Sequence, residues 1–503
     1  MDRFPRLARP PQIADLPVSS GSIAAFASDP LRTLRGLWAR HGDAAVLTDG
    51  PVRIHVCFDA QATREIACQP SQFRRAIQDI AGPRDSAHRR LITGIPVGRE
   101  RRTAVRPEDD AQTLFGETSP VTSADLAQLA DAAFDDWLAR EVCDLRRDAH
   151  QLAAQLVTRI VERRLGIPRA ADLVEMSQRW LVLQYECVLA HWNPVASHPE
   201  LYEALLAAAV RLESLWSAAT GDATGDMMVA STGGPLRTSG QQACEIARTT
   251  SAVAHLLLWT LFLTAQHPHV LQQLQAELEP PPGAARTEGT ESGRPAEGAT
   301  GDGTLLSAVV LESLRLFPPA SYELWVSRES ATVGPLSLPS GAAILTSPFI
   351  TQHAPDRFRQ PELFLPERWF GTLGRPALGS VPAAEFPTGN TQTGNTRAGE
   401  MLDAANGLLI GVNGPLLSSI AAMVRTILRR CRLTVLPGAT IDVHATPLMI
   451  DAQGPVPVRV QLPTTASVAS PVSGNIHALV NLPPAATGGE PADPASRLTR
   501  RAA

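Results

Sequence analysis

Residues 305–319 read LLSAVVLESLRLFPP. The apolar spacing predicts a helix from Leu305 to Leu316, stopped by Pro318 and Pro319, because proline lacks the backbone donor a helix needs. Glu312 and Arg315 stand three apart and so project from one face of that helix. On a surface such a pair contributes little. Here Val309, Leu311 and Leu314 crowd it, and a second arginine, Arg368, follows in PERW at 366–369. A carboxylate held between two arginines predicts a buried hydrogen-bonded network. Its expected role is structural: to fix the helix against the irregular chain that follows it.

Glu312-x-x-Arg315, then FPP, then short strands through LPSGAAILTSPF, then HAPDRFRQPELFLPERW stand in one order over residues 312–369. An isolated E-x-x-R is a weak signal, but the ordered run is specific. It resembles the cytochrome P450 family, the haem-thiolate monooxygenases, at the family's K-helix and meander. TLFLTAQHPHVLQQLQAELE resembles the end of its long central helix and the helix after it, and PLMIDAQGPVPVRVQ resembles its C-terminal hairpin. With RTLRGLWARHGDAAVL near the start, the resemblance covers most of residues 25–462. It implies one large, mainly α domain with small β-sheets.

The rest of the chain fits that architecture. Residues 30–70 read as helix, strand pair and helix, and residues 122–278 are almost all helical by their three- and four-residue apolar spacing. Residues 1–20 are expected to be a loose lead-in, and residues 21–463 a single domain. Segments 280–304 and 371–400, rich in Gly, Pro, Thr and Ser, are expected as low-complexity surface insertions, and residues 464–503 as a disordered C-terminal tail, because they have too little to bury to offset ordering entropy.

The resemblance implies haem b, bound through a cysteine thiolate in a loop just before the helix PLLSSIAAMVRTILRRCRLTV. Counting back along that helix puts the ligand position near Ile410, in ANGLLIGVNGPLLSS (405–419), and this loop contains no cysteine. None occurs between residues 245 and 430, and no histidine between His353 and His444. Cys431 falls about twenty residues late, roughly 30 Å away at helical rise. Met401 and Met423 are expected to be core residues.

Other parts of the family's site are also altered. The central helix's Ala-Gly-x-Asp/Glu-Thr aligns with Arg248, Thr249, Thr250, Ser251 and Ala252, so the acid and alcohol that deliver protons are missing. A shifted register would bring Glu245 to Thr249 or Thr250; the threonines are expected instead to bond their own helix turn. The arginine that reaches a haem propionate aligns with Trp325, with Arg328 as a stand-in. Arg99, Arg101 and Arg102 are expected at the solvated surface. The sequence therefore offers no catalytic residue and no metal-ligand set, only the structural network Glu312, Arg315 and Arg368.

Composition narrows the function classes. Apolar residues make up 44% of the 503 and charged residues 19%, as in a globular protein with a large core. A net charge of −5 supplies no positive field for nucleic acid. The six cysteines lack C-x-x-C spacing, as expected in a reducing cytoplasm. The most apolar run, SAVAHLLLWTLFLTA, is interrupted by His255 and is shorter than the roughly 18–20 residues of a membrane span.

Three readings remain open: a non-catalytic relative acting as helper to a partner enzyme in a natural-product or small-molecule pathway, as the resemblance implies for cysteine-less members; a haem-dependent monooxygenase oxidising a small hydrophobic substrate; and a haem-free pocket holding a small hydrophobic ligand. The expected setting is the cytoplasm, with no membrane or nucleic-acid partner.

Overall fold

The computed structural model describes residues 18–20, 22–49, 52–69, 71–75, 121–192, 199–220, 239–278, 304–369, 414–446, 448–463 and 468–483. Strand β1 (Val18–Ser20) and helices α1 (Ser22–Ser28) and α2 (Pro30–His41) open the chain. The Asp29 side chain caps α2 by accepting from the Arg32 amide, and Pro30 begins it where no donor is needed. Strands β2 (Ala44–Asp49) and β3 (Val52–Cys57), helix α3 (Ala60–Cys68) and strand β4 (Phe73–Arg75) follow.

The helical body comprises α4 (Ser123–Arg140), α5 (Leu145–Leu165), α6 (Ala171–Trp192), α7 (Pro199–Thr220), α8 (Ser239–Gln266) and α9 (Pro268–Leu278), with β5 (Val142–Asp144) between α4 and α5. Helix α10 (Thr304–Leu316) leads into β6 (Glu323–Ser327), β7 (Ala331–Val333), β8 (Leu336–Leu338), β9 (Ala343–Thr346) and α11 (Pro348–Gln352). The chain closes with α12 (Gly414–Arg430), β10 (Arg432–Val435), β11 (Val443–Ala445), β12 (Ile450–Ala452) and β13 (Pro457–Gln461). The fold is mainly α with small sheets. The largest sheet runs β1-β2-β3-β9-β6-β4, a second β10-β13-β5, and two hairpins pair β11 with β12 and β7 with β8.

Helix α8 is the axis of the core, packed by α5, α6, α10 and α12. From Ser251 to Gln266 every side chain on it is buried. Trp259 stacks on Phe317 with ring centroids 4.2 Å apart, and its indole N–H donates to the Ile450 carbonyl at 2.8 Å. The His255 ring bonds the Phe317 carbonyl. These contacts fasten α8 to the turn after α10 and to β12. The helix also corrects the expectation drawn from its apolar run: with Thr249–Ser251 included, Gln242–Gln266 is long and apolar enough to cross a membrane, and 94% of its most apolar window is buried inside the protein.

Glu312 and Arg315 on α10 are fully buried. Arg315 donates to the two Glu312 carboxylate oxygens at 3.0 and 2.8 Å and to the carbonyls of Gln352 and Pro361 at 2.9 and 2.8 Å. Arg368 reaches Glu312 at 3.0 Å, and the Trp369 indole and the Leu365 amide donate to the same carboxylate at 2.8 and 3.1 Å. A carboxylate with this many donors is satisfied despite its burial.

Two expectations about the chain ends are corrected. Residues 18–20, within the supposed lead-in, form a strand paired in parallel with β2. Within the supposed tail, residues 468–483 pack onto the domain: Ile476 and Val480 are fully buried, and the Asn475 side chain both accepts from the Val443 amide and donates to its carbonyl. The Pro/Ala/Ser average over 464–503 conceals this short apolar anchor, NIHALV. Of the expected insertions at 280–304 and 371–400, all but Thr304, which begins α10, lies outside the described residues.

Replacing Glu312 by Gln leaves two arginines facing one neutral group, so E312Q is expected to lose roughly 3–5 kcal/mol of stability in chemical denaturation; a loss under about 1 kcal/mol would remove the network from its supporting role. Burial pushes His255 and His267 down to about 4 and His353 well below its usual value. Unfolded imidazoles protonate near 6.5, so between about pH 6.5 and 4 the unfolded chain binds more protons and stability rises with pH. Unfolding midpoints should therefore drop from pH 7 to pH 4.5, and a flat profile would contradict this account.

Candidate functional site

The N-terminal half of α8 differs from its buried remainder. Cys244, Glu245 and Arg248 on it are partly accessible, while Ile246, Ala247, Thr249 and Thr250 are buried. Arg248 donates to the Tyr185 hydroxyl on α6 at 2.6 Å. Burial opposes its charge, but the nearby Tyr185, Cys244 and Glu323 outweigh that effect and raise its pKa. Burial likewise raises the Tyr185 phenol, with Arg248 and Arg75 acting in the opposite direction.

Strands β4 and β6 carry Arg75 and Glu323, whose charges act on Tyr185 and, from Glu323, on Arg248. Their antiparallel register sets Arg75 opposite Trp325, and the Arg75 guanidinium lies 5.2 Å from the centre of the Trp325 ring. Arg75 also pairs with buried Glu323 at 3.3 Å. Trp325 occupies the aligned propionate-arginine position and donates its indole N–H to Thr346 at 3.2 Å. Arg328 is exposed, with its amide bonded to the Gln72 carbonyl.

Thr250 donates to the Ile246 carbonyl one turn back at 2.7 Å, a local helix bond. Met423 is buried in the core on α12. Ile410, Met401, Arg99, Arg101 and Arg102 lie outside the described residues. Glu312, Arg315 and Arg368 meet in a region whose geometry is that of a brace and contains no reacting group.

The cysteines bear directly on chemistry. Cys431, at the far end of α12, is fully buried and bonded to the Ile427 carbonyl, and burial pushes its thiol up to about 12. Burial similarly holds Cys57 at about 12 and Cys143 and Cys187 at about 11. Among the described residues no group of three His, Cys, Asp or Glu side chains could hold a metal ion.

A family model described as Cytochrome P450 matches residues 247–382. A longer likeness runs to cyclooctat-9-en-7-ol 5-monooxygenase of Streptomyces melanosporofaciens, 24% identical over 457 residues, covering 84% of this chain and 89% of that protein. The chain is similar to cytochrome P450 proteins along most of its length. Cytochrome P450 78A3 of Glycine max is 36% identical over 143 residues, and Cytochrome P450 monooxygenase asqL of Emericella nidulans 34% over 116; each match covers about a quarter of either chain. The family model's match ends at residue 382, before the loop that would carry the haem ligand.

The family's cofactor is haem, and the donor set present does not fit a thiolate-ligated one. The loop before α12 supplies neither cysteine nor histidine, and Cys431 is a protonated core thiol at the other end of that helix. What the arrangement offers chemically is charge and hydrogen bonding, through Arg248 with the Tyr185 hydroxyl and Arg75 with Glu323. Sequence reasoning passed over Tyr185, Glu323 and Arg75 and treated Arg248 only as an alignment position. A signal was present: after Arg248 no Lys, Arg, Asp or Glu occurs until Glu277, so one cation is carried into the core by the most apolar helix.

Thiolate availability should separate the cysteines. At pH 8, iodoacetamide is expected to label Cys244 well before Cys57, Cys143, Cys187 or Cys431, as read by peptide mass mapping. Early labelling of Cys431 in the folded protein would undo its assignment as an inert core thiol.

Proposed function

We propose that this chain serves a natural-product or other small-molecule pathway as a helper or partner protein in the cytoplasm, on a P450 fold without haem-thiolate chemistry. The observation that carries the reading is the lack of any cysteine from residue 245 to 430, combined with a Cys431 thiol that is buried and protonated. The altered proton-delivery positions on α8 support it, with Ser251 and Ala252 in place of acid and alcohol. A protein partner is the form of function that remains to a scaffold lacking its reactive centre.

The second reading is a haem-dependent monooxygenase oxidising a small hydrophobic substrate. The names of the relatives favour it over the helper role: the long match is called a 5-monooxygenase, and the fungal match a monooxygenase. The missing thiolate stands against it.

Absorption spectroscopy of the purified protein, oxidised and then reduced under carbon monoxide, decides between them. The expected result is no haem band; a strong Soret band moving to the thiolate position would overturn the helper reading and establish the monooxygenase. With no haem bound, affinity capture from the producing cell should retrieve a pathway enzyme, and its absence would leave no basis for the helper role.

A further inference from the structure

A cavity of about 450 Å³ opens between the start of α2, the β11–β12 hairpin and the anchored segment 468–483. Arg32 and Arg35 line it from α2, where their spacing of three residues sets them on one helix face. Val443 and Ala445 on β11 and Leu479 on the anchor, all buried, supply apolar wall, and exposed Ala478 lies beside them. One wall of the cavity thus exists only because residues 468–483 fold back onto the domain.

Arg35 is held in place by the protein itself. Its Nη1 donates to the Ala478 carbonyl, and its guanidinium lies 5.0 Å from the centre of the Phe349 ring. Among the described residues its side chain makes no other hydrogen bond and no ion pair, and the Arg32 side chain makes neither. Burial lowers the Arg35 pKa, and Glu362, acting in the other direction, offsets this only in part. Asp29 also borders the cavity, but its carboxylate caps α2 by accepting from the Arg32 amide.

Two guanidiniums against one carboxylate leave one positive charge in excess among these lining groups. A carboxylate is the planar two-oxygen acceptor that matches an unpaired guanidinium fork, and a monoanion cancels the excess where a phosphate dianion would overshoot it. Apolar wall with a few polar groups is the usual make-up of a small-molecule site.

We propose that this cavity binds a small organic acid, its carboxylate held by Arg35 and Arg32 and its body against Val443, Ala445 and Leu479. No lining residue belongs to α6, α8 or α10, so the site lies apart from the Arg248 region and the interior beside the central helix. It rests neither on the helper reading nor on whether haem is bound.

Titration calorimetry on the purified full chain at pH 7.5 tests it with octanoate and octan-1-ol, which share a tail and differ in the head. One octanoate per chain is expected, bound at least roughly tenfold more tightly than octan-1-ol. R35Q should abolish that preference and R32Q should reduce it by less. A478W, which puts an indole into the cavity lining, should weaken octanoate by a similar factor. Equal binding of the two compounds, no binding of octanoate, or octanoate affinity that survives in either R35Q or A478W overturns the proposal. Arg32 and Ala478 are exposed, so R32Q and A478W keep the test decisive where R35Q fails to fold.

Discussion

Glu312 is a carboxylate that water cannot reach, and Arg315, Arg368, the Trp369 indole and the Leu365 amide all donate to it. Arg315 extends the same set of bonds to the carbonyls of Gln352 and Pro361. Chain with little regular structure of its own, from α11 to Trp369, is thereby tied to the end of α10. The turn after α10 then carries Phe317 against Trp259 and leads β6 into the largest sheet. A buried ion pair contributes less to net stability than to specifying one arrangement, which is what a meander of turns requires.

The scaffold and the ligand loop differ in how closely they follow the family's pattern. The brace, the central helix and the sheet that would border a haem are all present, so the parts of a P450 that depend on packing are in place. The parts that depend on one reactive atom are altered: the ligand loop has aliphatic residues around Ile410, and the surviving thiols among the described residues with raised pKa values are core groups. Packing tolerates such loss because a thiolate ligand contributes to reactivity and not to the hydrophobic contacts of α8 or α10. In place of the family's small residue at its oxygen-binding turn stands Arg248, a charge carried into the interior and only partly answered by Tyr185.

The sequence by itself determined the resemblance to cytochrome P450, the helical body and the brace, because each depends on short-range spacing: three residues set Glu312 beside Arg315, two prolines stop α10, and apolar periodicity draws the helices. It also determined the missing ligand, since an absent residue type can be read directly. Only the tertiary structure decided the Arg248 cluster. Arg75, Tyr185, Arg248 and Glu323 lie on four separate elements, and their meeting depends on the β4–β6 register and on the packing of α6 against α8. The same holds for residues 468–483, where a mean over a Pro/Ala/Ser-rich stretch pointed to disorder. Burial of Ile476 and Val480, together with the bond from the Val443 amide to Asn475 32 residues on, overrode composition, because a few anchored side chains suffice to offset the ordering entropy of a short segment.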